Sequence, residues 1–502
     1  MFFATLFIRA LFFLMPIRTQ AKFRFQKPGL EQSALASSRA EAVKEAFRLA
    51  YHDYIQLGYP MDEVAPLTKN GSNTRNGWGA TLVDSLDTLF IMGLHDEFEQ
   101  GLTRTAEIDF SRSYINQTVS IFETTIRYLG GILTAYELTG KKRKDLLDRA
   151  CQLGHKLVYG WSRPSQKIPY GFLNFTTNQP IIDTSVVAEA GTLILEFDRL
   201  SHYSGNDTFR ALADRAMKGI MDLPDHFPGL PALEIAPQND SSVGDYITWG
   251  GGTDSYFEYL LKYAMLMDNR DPRYLEEWKK AVYSSITHLL RISNGHTYLA
   301  SFSESRNGTL YVFSHLACFV GGNWLLGGKL IGDKKVIDIA LQLINTCMHS
   351  YTSTETGLGP EVFRFLGPKG EVTGPKMNHT EQEFNKKHGF YITNPEYVLR
   401  PEVLESVFYA WRMTGDQRYQ DFTWEAFQSL NKYCKAPASY AAIWNVTDAR
   451  NVTQINDSES FLYAETFKYI YLTFGHPSQF SLDDYVFNTE AHPFHYTYHT
   501  DT

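Results

Sequence analysis

Carboxylates set inside otherwise apolar runs invite a chemical reading of this 502-residue chain, because an unpartnered buried charge is costly. Glu123 stands in Val119-Ser-Ile-Phe-Glu-Thr-Thr-Ile-Arg127, with the arginine one helical turn on. Alone, that is a structural ion pair. Asp254 and Glu258 are also four apart, but both are negative, so they call for a shared proton, a cation or a nearby arginine. Glu402 and Glu405 repeat the theme three apart, behind a Pro401 well placed to start a helix. Glu361 follows the Gly-rich turn Thr356-Gly-Leu-Gly-Pro360, Glu465 lies one turn from Phe461, and Glu189 is embedded in Val186-Val-Ala-Glu-Ala-Gly. Each of these, taken singly, reads as a solvated helix face. Six such segments together point to an acidic pocket with aromatic walls, the arrangement that carbohydrate hydrolysis calls for. One carboxylic acid protonates the leaving oxygen, and a second carboxylate drives water or attacks directly. Crowded acids raise one another's pKa, which keeps one of them protonated. An oxygen-only cluster also suits Ca²⁺ or Mg²⁺ better than zinc.

Helices must carry these residues. Ala40–Leu57, Ile121–Leu138, Val186–Leu200, Tyr256–Met267 and Glu402–Met413 all place apolar residues at three- and four-residue spacing. Between such runs a punctuation mark recurs: Thr139-Gly140, Ser204-Gly205-Asn-Asp, Asn269-Arg-Asp271-Pro, Ile331-Gly332-Asp and Thr414-Gly415-Asp, with Met92-Gly93 as a looser copy. Each stops one helix and opens the next. A helix pair recurring about every sixty residues predicts one all-α domain of stacked or circular hairpins. An open solenoid and a closed toroid both satisfy the pattern. The toroid is preferred, because acids scattered over every repeat must converge somewhere. Gly229–Gly252 and Thr352–Thr393 read as long loops carrying substrate contacts, and His296–Phe313 as a hairpin.

A composition of 43% hydrophobic and 21% charged residues excludes a disordered chain. A net charge of −9 argues against a nucleic-acid partner. Residues 1–21 read as a secretory signal or short anchor, too broken by Arg9 and Pro16 for an ordinary membrane span. Asn-X-Ser/Thr sequons at Asn70, Asn116, Asn174, Asn206, Asn239, Asn307, Asn378, Asn445, Asn451 and Asn456 suit a lumenal or secreted chain. The four cysteines, Cys151, Cys318, Cys347 and Cys434, lack zinc or redox spacing, and spacing alone does not pair them.

At Asn76-Gly-Trp-Gly-Ala-Thr-Leu-Val-Asp-Ser-Leu-Asp87 the sequence resembles the class I α-1,2-mannosidases, glycoside hydrolase family 47. The likeness continues through Phe122–Gly131, Asp254–Lys262, Ser314–Phe319, Leu399–Ser406 and Phe487–Pro493, in family order from about Ala40 to Pro493, and is strongest to the fungal secreted or Golgi type. It implies an (α/α)7 barrel over residues 40–502, after an N-terminal extension at 22–39. It implies an inverting exo-glycosidase that removes terminal α-1,2-mannose from the high-mannose N-glycans of glycoproteins. A bound Ca²⁺, a monomer and a place in the secretory pathway complete the expectation.

Carried across by the same resemblance, Glu123 matches the general acid acting through a water, Glu402 the base and Asp254 a third essential carboxylate. Glu361 matches a further acid sometimes assigned proton donation. Thr489 matches the Ca²⁺ ligand, with waters held by Glu258, Glu405, Glu465 and Glu490. Phe461 matches the aromatic floor beneath the sugar. Arg127, Arg400, Glu189 and His315 match pocket-lining residues, although His315 reads almost equally well as a core histidine. Cys318 and Cys347 match the family's disulfide.

One position departs. Where the single-mannose trimmers of the endoplasmic reticulum resemble one another in carrying Arg two residues before the aspartate, this chain has Gly252. A wider cleft, and trimming toward a five-mannose core, is expected. Two other readings stand beside the enzyme. A glycan-binding lectin of the same barrel would not need Glu123, Asp254, Glu402 and Thr489 together, and a plain helical scaffold would not need the acids at all.

Overall fold

The recurring marks are helix ends. Gly205, Gly332 and Gly415 close their helices in the left-handed region (φ 72°, 70° and 65°), which a residue without Cβ enters freely. Asp271, Asp333 and Asp416 then accept backbone N–H groups two residues on and open the next helix, with Pro272 at the first helical position after Asp271.

A computed structural model describes residues 23–115 and 118–496; the expected signal or anchor at 1–21 and the Asn116 sequon lie outside the described residues. In chain order the principal helices are α1 (34–58), α2 (80–91), α3 (His95–Ala106), α4 (121–138), α5 (Lys144–Leu157), α6 (187–204), α7 (Thr208–Met221), α8 (Asp254–Leu266), α9 (Pro272–His288), α10 (316–331), α11 (Lys334–Thr352), α12 (Glu402–Thr414), α13 (417–434) and α14 (462–474). Even-numbered helices pack neighbour to neighbour and α14 returns to α2, closing an inner ring. Odd-numbered helices form the outer layer, each lying on the inner helix before it, and α1 lies on α14. Six hairpins are therefore local, and the seventh pair joins the two ends of the chain. This is the (α/α)7 barrel.

The loops at the other end of the barrel hold short antiparallel strands. Val119–Ser120, Ser185–Val186 and Val312–Ser314 each belong to a three-stranded sheet and lead into α4, α6 and α10. The stretch His296–Phe313 is not one hairpin. His296–Leu299 pairs back onto Leu290–Ser293 through Asn294-Gly295, both at positive φ, and Ser301–Ser303 pairs with Gly308–Leu310. Gly229–Gly252 contains the strands Glu234–Ala236 and Ser241–Val243, and Thr352–Thr393 contains the helix His379–His388.

Between the two helical layers lies the apolar core, in which Trp78, Trp249, Trp278 and Trp324 are fully buried. Cys318 and Cys347 form a disulfide between α10 and α11, while Cys151 and Cys434 are free thiols. The extension before α1 is stitched to the barrel, with the Phe25 and Gln26 amides on Asp483 and the Lys27 amide on the Arg412 carbonyl.

Candidate active site

The first turns of the inner helices other than α2 line one cavity of about 320 Å³. A further hairpin, Tyr485–Phe487 with Pro493–His495, forms its floor: Thr489 and Glu490, at the tip, line the cavity. Asn488 anchors that tip, donating to the Ile126 carbonyl at 3.0 Å and to Glu196 at 2.8 Å. His492 meets Asp87 at 2.9 Å, and Lys468 donates to the Ala491 carbonyl at 2.7 Å. The hollow is therefore a blind pocket.

Helix starts put the acids there. Ser120 caps α4 by accepting the Glu123 amide at 3.2 Å, which turns the glutamate into the cavity. Asp254 and Glu402 are the first residues of α8 and α12, where the positive end of the helix dipole favours a carboxylate. π-helical turns at Thr124–Leu129 and Leu462–Thr466 widen the helix beside Glu123 and around Glu465.

The carboxyls differ sharply in charge. Burial alone would raise Glu123, but Arg127 and Arg75 outweigh it and hold it below the ordinary carboxylate range. Arg127 Nε donates to it at 2.7 Å, and Arg75 lies 3.4 Å away. Burial likewise works against Glu402, yet a 2.8 Å hydrogen bond from His315 and the charge of Arg400 keep it low. Asp254 goes the other way: burial, with Glu258 and Glu402 nearby, pushes it up to about 7 against the Ser255 amide. Burial pushes Glu405 up to about 8 despite Lys262, and Glu490 up to about 8 despite Arg127. Glu465 is raised by burial and by its neighbours Glu490, Glu402 and Glu405, and Glu189 is raised by burial.

Thirteen of the expected residues, among them Glu189, Gly252, Glu258, Glu465 and Thr489, line this cavity or its floor. Phe461 is on the wall, with the guanidinium groups of Arg127 and Arg400 at 5.7 and 5.8 Å from its ring centre. Two residues stand one layer back. Glu361 accepts from Arg400 Nε with both oxygens, at 2.9 and 2.7 Å, and His315 lies behind Glu402. Gly252 sits at φ +94° with Leu233 packed where a Cβ would be, so the backbone and the leucine both specify glycine.

The sequence had not singled out Arg75, Ser460, Asp84 or Lys262. Ser460 accepts from Arg127 at 3.0 Å and donates to Asp84 at 2.5 Å, and Arg127 also pairs with Glu490 and lies 3.6 Å from Asp84. Lys262 pairs with Glu258 and lies 3.9 Å from Glu405, which answers the repulsion between Asp254 and Glu258 from within α8. Its spacing from Glu258 was a readable signal; Arg75 and Ser460 had none. Among the described residues, no three His, Cys, Asp or Glu side chains are spaced to ligate a metal directly.

Residues 46–496 match the model of Glycosyl hydrolase family 47. The chain belongs to that family. Its family 47 relatives include the mannosyl-oligosaccharide alpha-1,2-mannosidase 1B of Aspergillus oryzae, 37% identical with 97% of each chain covered. The mannosyl-oligosaccharide alpha-1,2-mannosidase of Penicillium citrinum is 37% identical with 91% of each covered. The solved alpha-1,2-mannosidase from Trichoderma reesei superposes with a TM-score of 0.88 at 34% identity, over 93% of this chain and all of that one. A cellobiose 2-epimerase from Spirochaeta thermophila, at 11% identity and a TM-score of 0.51, shares the fold alone. As a family 47 member the protein is a glycosyl hydrolase.

Proposed function

We propose that this enzyme is a Ca²⁺-dependent, inverting exo-α-1,2-mannosidase acting on high-mannose N-glycans, with residues 40–502 as its catalytic unit. The observation that carries this reading is the blind pocket in which an ionised Glu402 and the Arg-held Glu123 share walls with Phe461. A closed floor admits one terminal sugar, which suits exo-cleavage, and an aromatic wall suits the C–H face of a mannose ring.

In this reading Glu402 takes a proton from the attacking water as its oxygen bonds to the anomeric carbon. The glycosidic C–O bond breaks, and the leaving oxygen takes a proton from a water held by Glu123, which is reprotonated in turn by the Asp254 carboxyl; the proton left on Glu402 returns to Asp254 through solvent. Two arginines keep Glu123 ionised, so it orients that water, while Asp254, pushed up to about 7, holds a proton near neutrality that this water can relay. Arg400, fixed by Glu361, braces the Phe461 wall.

The donor set fits a hard cation. Thr489 offers oxygens at the floor, and Glu258, Glu405, Glu465 and Glu490 crowd around it with Lys262 and Arg127 as their nearby cations. Thr489 would hold the ion, the four carboxylates would hold its waters, and when bound it would supply a fixed positive charge for sugar hydroxyls. Gly252 leaves its corner of the cavity without a side chain, which supports broad trimming toward a five-mannose core. In this reading the protein is a monomer, and the sequons and the N-terminal segment support work in the secretory pathway, secreted or in the Golgi or endoplasmic-reticulum lumen, with membrane contact only through an N-terminal anchor.

The test is a time course on a defined nine-mannose glycan with and without calcium, followed by mass spectrometry and proton NMR. Free mannose should appear first as the β-anomer, and only with calcium. Binding without release would make the protein a lectin.

A further inference from the structure

His315 contacts more than Glu402. Its Nδ1 meets Glu402 Oε2 at 2.8 Å, and its Nε2 meets the Tyr351 hydroxyl at 2.8 Å. His315 and Tyr351 are both 1% exposed, so neither nitrogen has water as an alternative partner. A carboxylate can only accept, so the Nδ1 proton must face Glu402. Whatever fixes the other nitrogen fixes that proton.

Tyr351 comes from the outer layer. It lies at the end of α11, whereas His315 precedes α10 and Glu402 opens α12. The Cys318–Cys347 disulfide joins α10 to α11 three residues after His315 and one turn before Tyr351. It thus clamps together the two segments whose side chains meet. The Tyr351 ring is further held by Tyr397 at 6.2 Å and Phe422 at 5.5 Å between centres.

We propose that Tyr351 is a positioning residue for catalysis: its hydroxyl donates to His315 Nε2, confining the imidazole proton to Nδ1, where it keeps Glu402 ionised and aimed. This rests on the reading of Glu402 as the base. Without the hydroxyl, the other tautomer becomes accessible and points a lone pair at the Glu402 carboxylate, which raises the pKa of Glu402. The charged groups facing the pair are Arg400 and Glu361 beside it, and Asp254, Glu405 and Glu465 across the cavity. None of them replaces a donor on Nε2.

The experiment compares Tyr351→Phe and Glu402→Gln in the calcium-loaded full chain, reading kcat, KM, melting temperature and the pH profile of kcat/KM. Tyr351→Phe should lower kcat roughly tenfold at neutral pH, less than the hundredfold or more that losing the base costs. KM should stay within about twofold, and the acidic limb should move up by about one pH unit, the size of one lost hydrogen bond. A normal rate with an unmoved limb would overturn the proposal. So would a loss uniform across pH that comes with a lower melting temperature or a raised KM, since that marks a structural role only. If Glu402→Gln retains most of its rate, the reading of the base itself fails, whatever Tyr351 does.

Discussion

Arg127 is shared among several acids of the site, which makes its removal informative. Its guanidinium serves Glu123, Ser460, Asp84 and Glu490 at once, and its side chain is 6% exposed. Arg127→Met keeps the volume and deletes the charge, leaving three carboxylates short of their shared partner. Breaking a buried pair in this way costs about 3–5 kcal/mol. Unfolding entropy of about 2.1 cal/mol/K per residue amounts to roughly 1 kcal/mol per degree for a chain of this length, so the melting temperature should fall by about 3–5 °C.

The pH dependence sharpens this prediction. In the wild type Glu123 is held low, so its contribution is present above the unfolded carboxylate value and lost only as pH falls through the folded one. In the variant only Arg75 is left to oppose burial, the largest influence on Glu123, so Glu123 is raised, its ionised form becomes the costlier one and stability is lost as pH rises. Glu490 already stands at about 8 in the wild type, so it adds little to the difference between pH 5 and 8. The deficit should widen across that window, by up to about 1.4 kcal/mol per pH unit. Scanning calorimetry at pH 5, 6.5 and 8, at one calcium concentration, measures it. A deficit that is flat with pH, or below about 1 °C, would refute the account of Arg127.

Chelation should lower the melting temperature of the wild type, because a ligand bound only to the folded state stabilises it. Thr489→Ala should abolish mannose release and make melting indifferent to chelator; unchanged melting of the wild type in excess chelator would remove the metal from the account. Gly252→Arg should narrow the set of products from a nine-mannose glycan, read by mass spectrometry. It should also lower stability by roughly 1–3 kcal/mol, because φ +94° suits glycine and Leu233 fills the Cβ position. Full trimming by that variant would show that the residue at 252 does not set breadth.

How much of this was written in the sequence depends on the distance over which each feature is decided. Helix ends are decided locally, by a glycine free to turn left-handed and an aspartate free to cap, so Gly332-Asp333 and Gly415-Asp416 could be read without a fold. Convergence of Glu123, Asp254 and Glu402 could be inferred only because isolated buried charges make no sense. The groups that set their charges were less legible. Arg127 meets Ser460 across 333 residues, and Tyr351 reaches His315 from another layer of the barrel. No periodicity encodes such meetings; they follow from which helices the closed ring makes neighbours. Asn294-Gly295, by contrast, was a local turn signal that would have divided His296–Phe313 correctly.

The seventh helix pair has a consequence for assembly. Its members, α1 and α14, touch along their lengths without a covalent link between them, while the other six pairs are joined by tight connections. Closure therefore waits until the last helix is available, and the floor hairpin, later still in the chain, can seat itself only in a hollow already enclosed. Catalytic competence is the final event of folding here, and a nascent polypeptide cannot attack a glycan before it is whole. The same gap also marks where the circle is nicked: a linker from the end of the floor hairpin to the start of α1, with any one of the six tight connections opened, should yield a rearranged polypeptide with the same ring and floor.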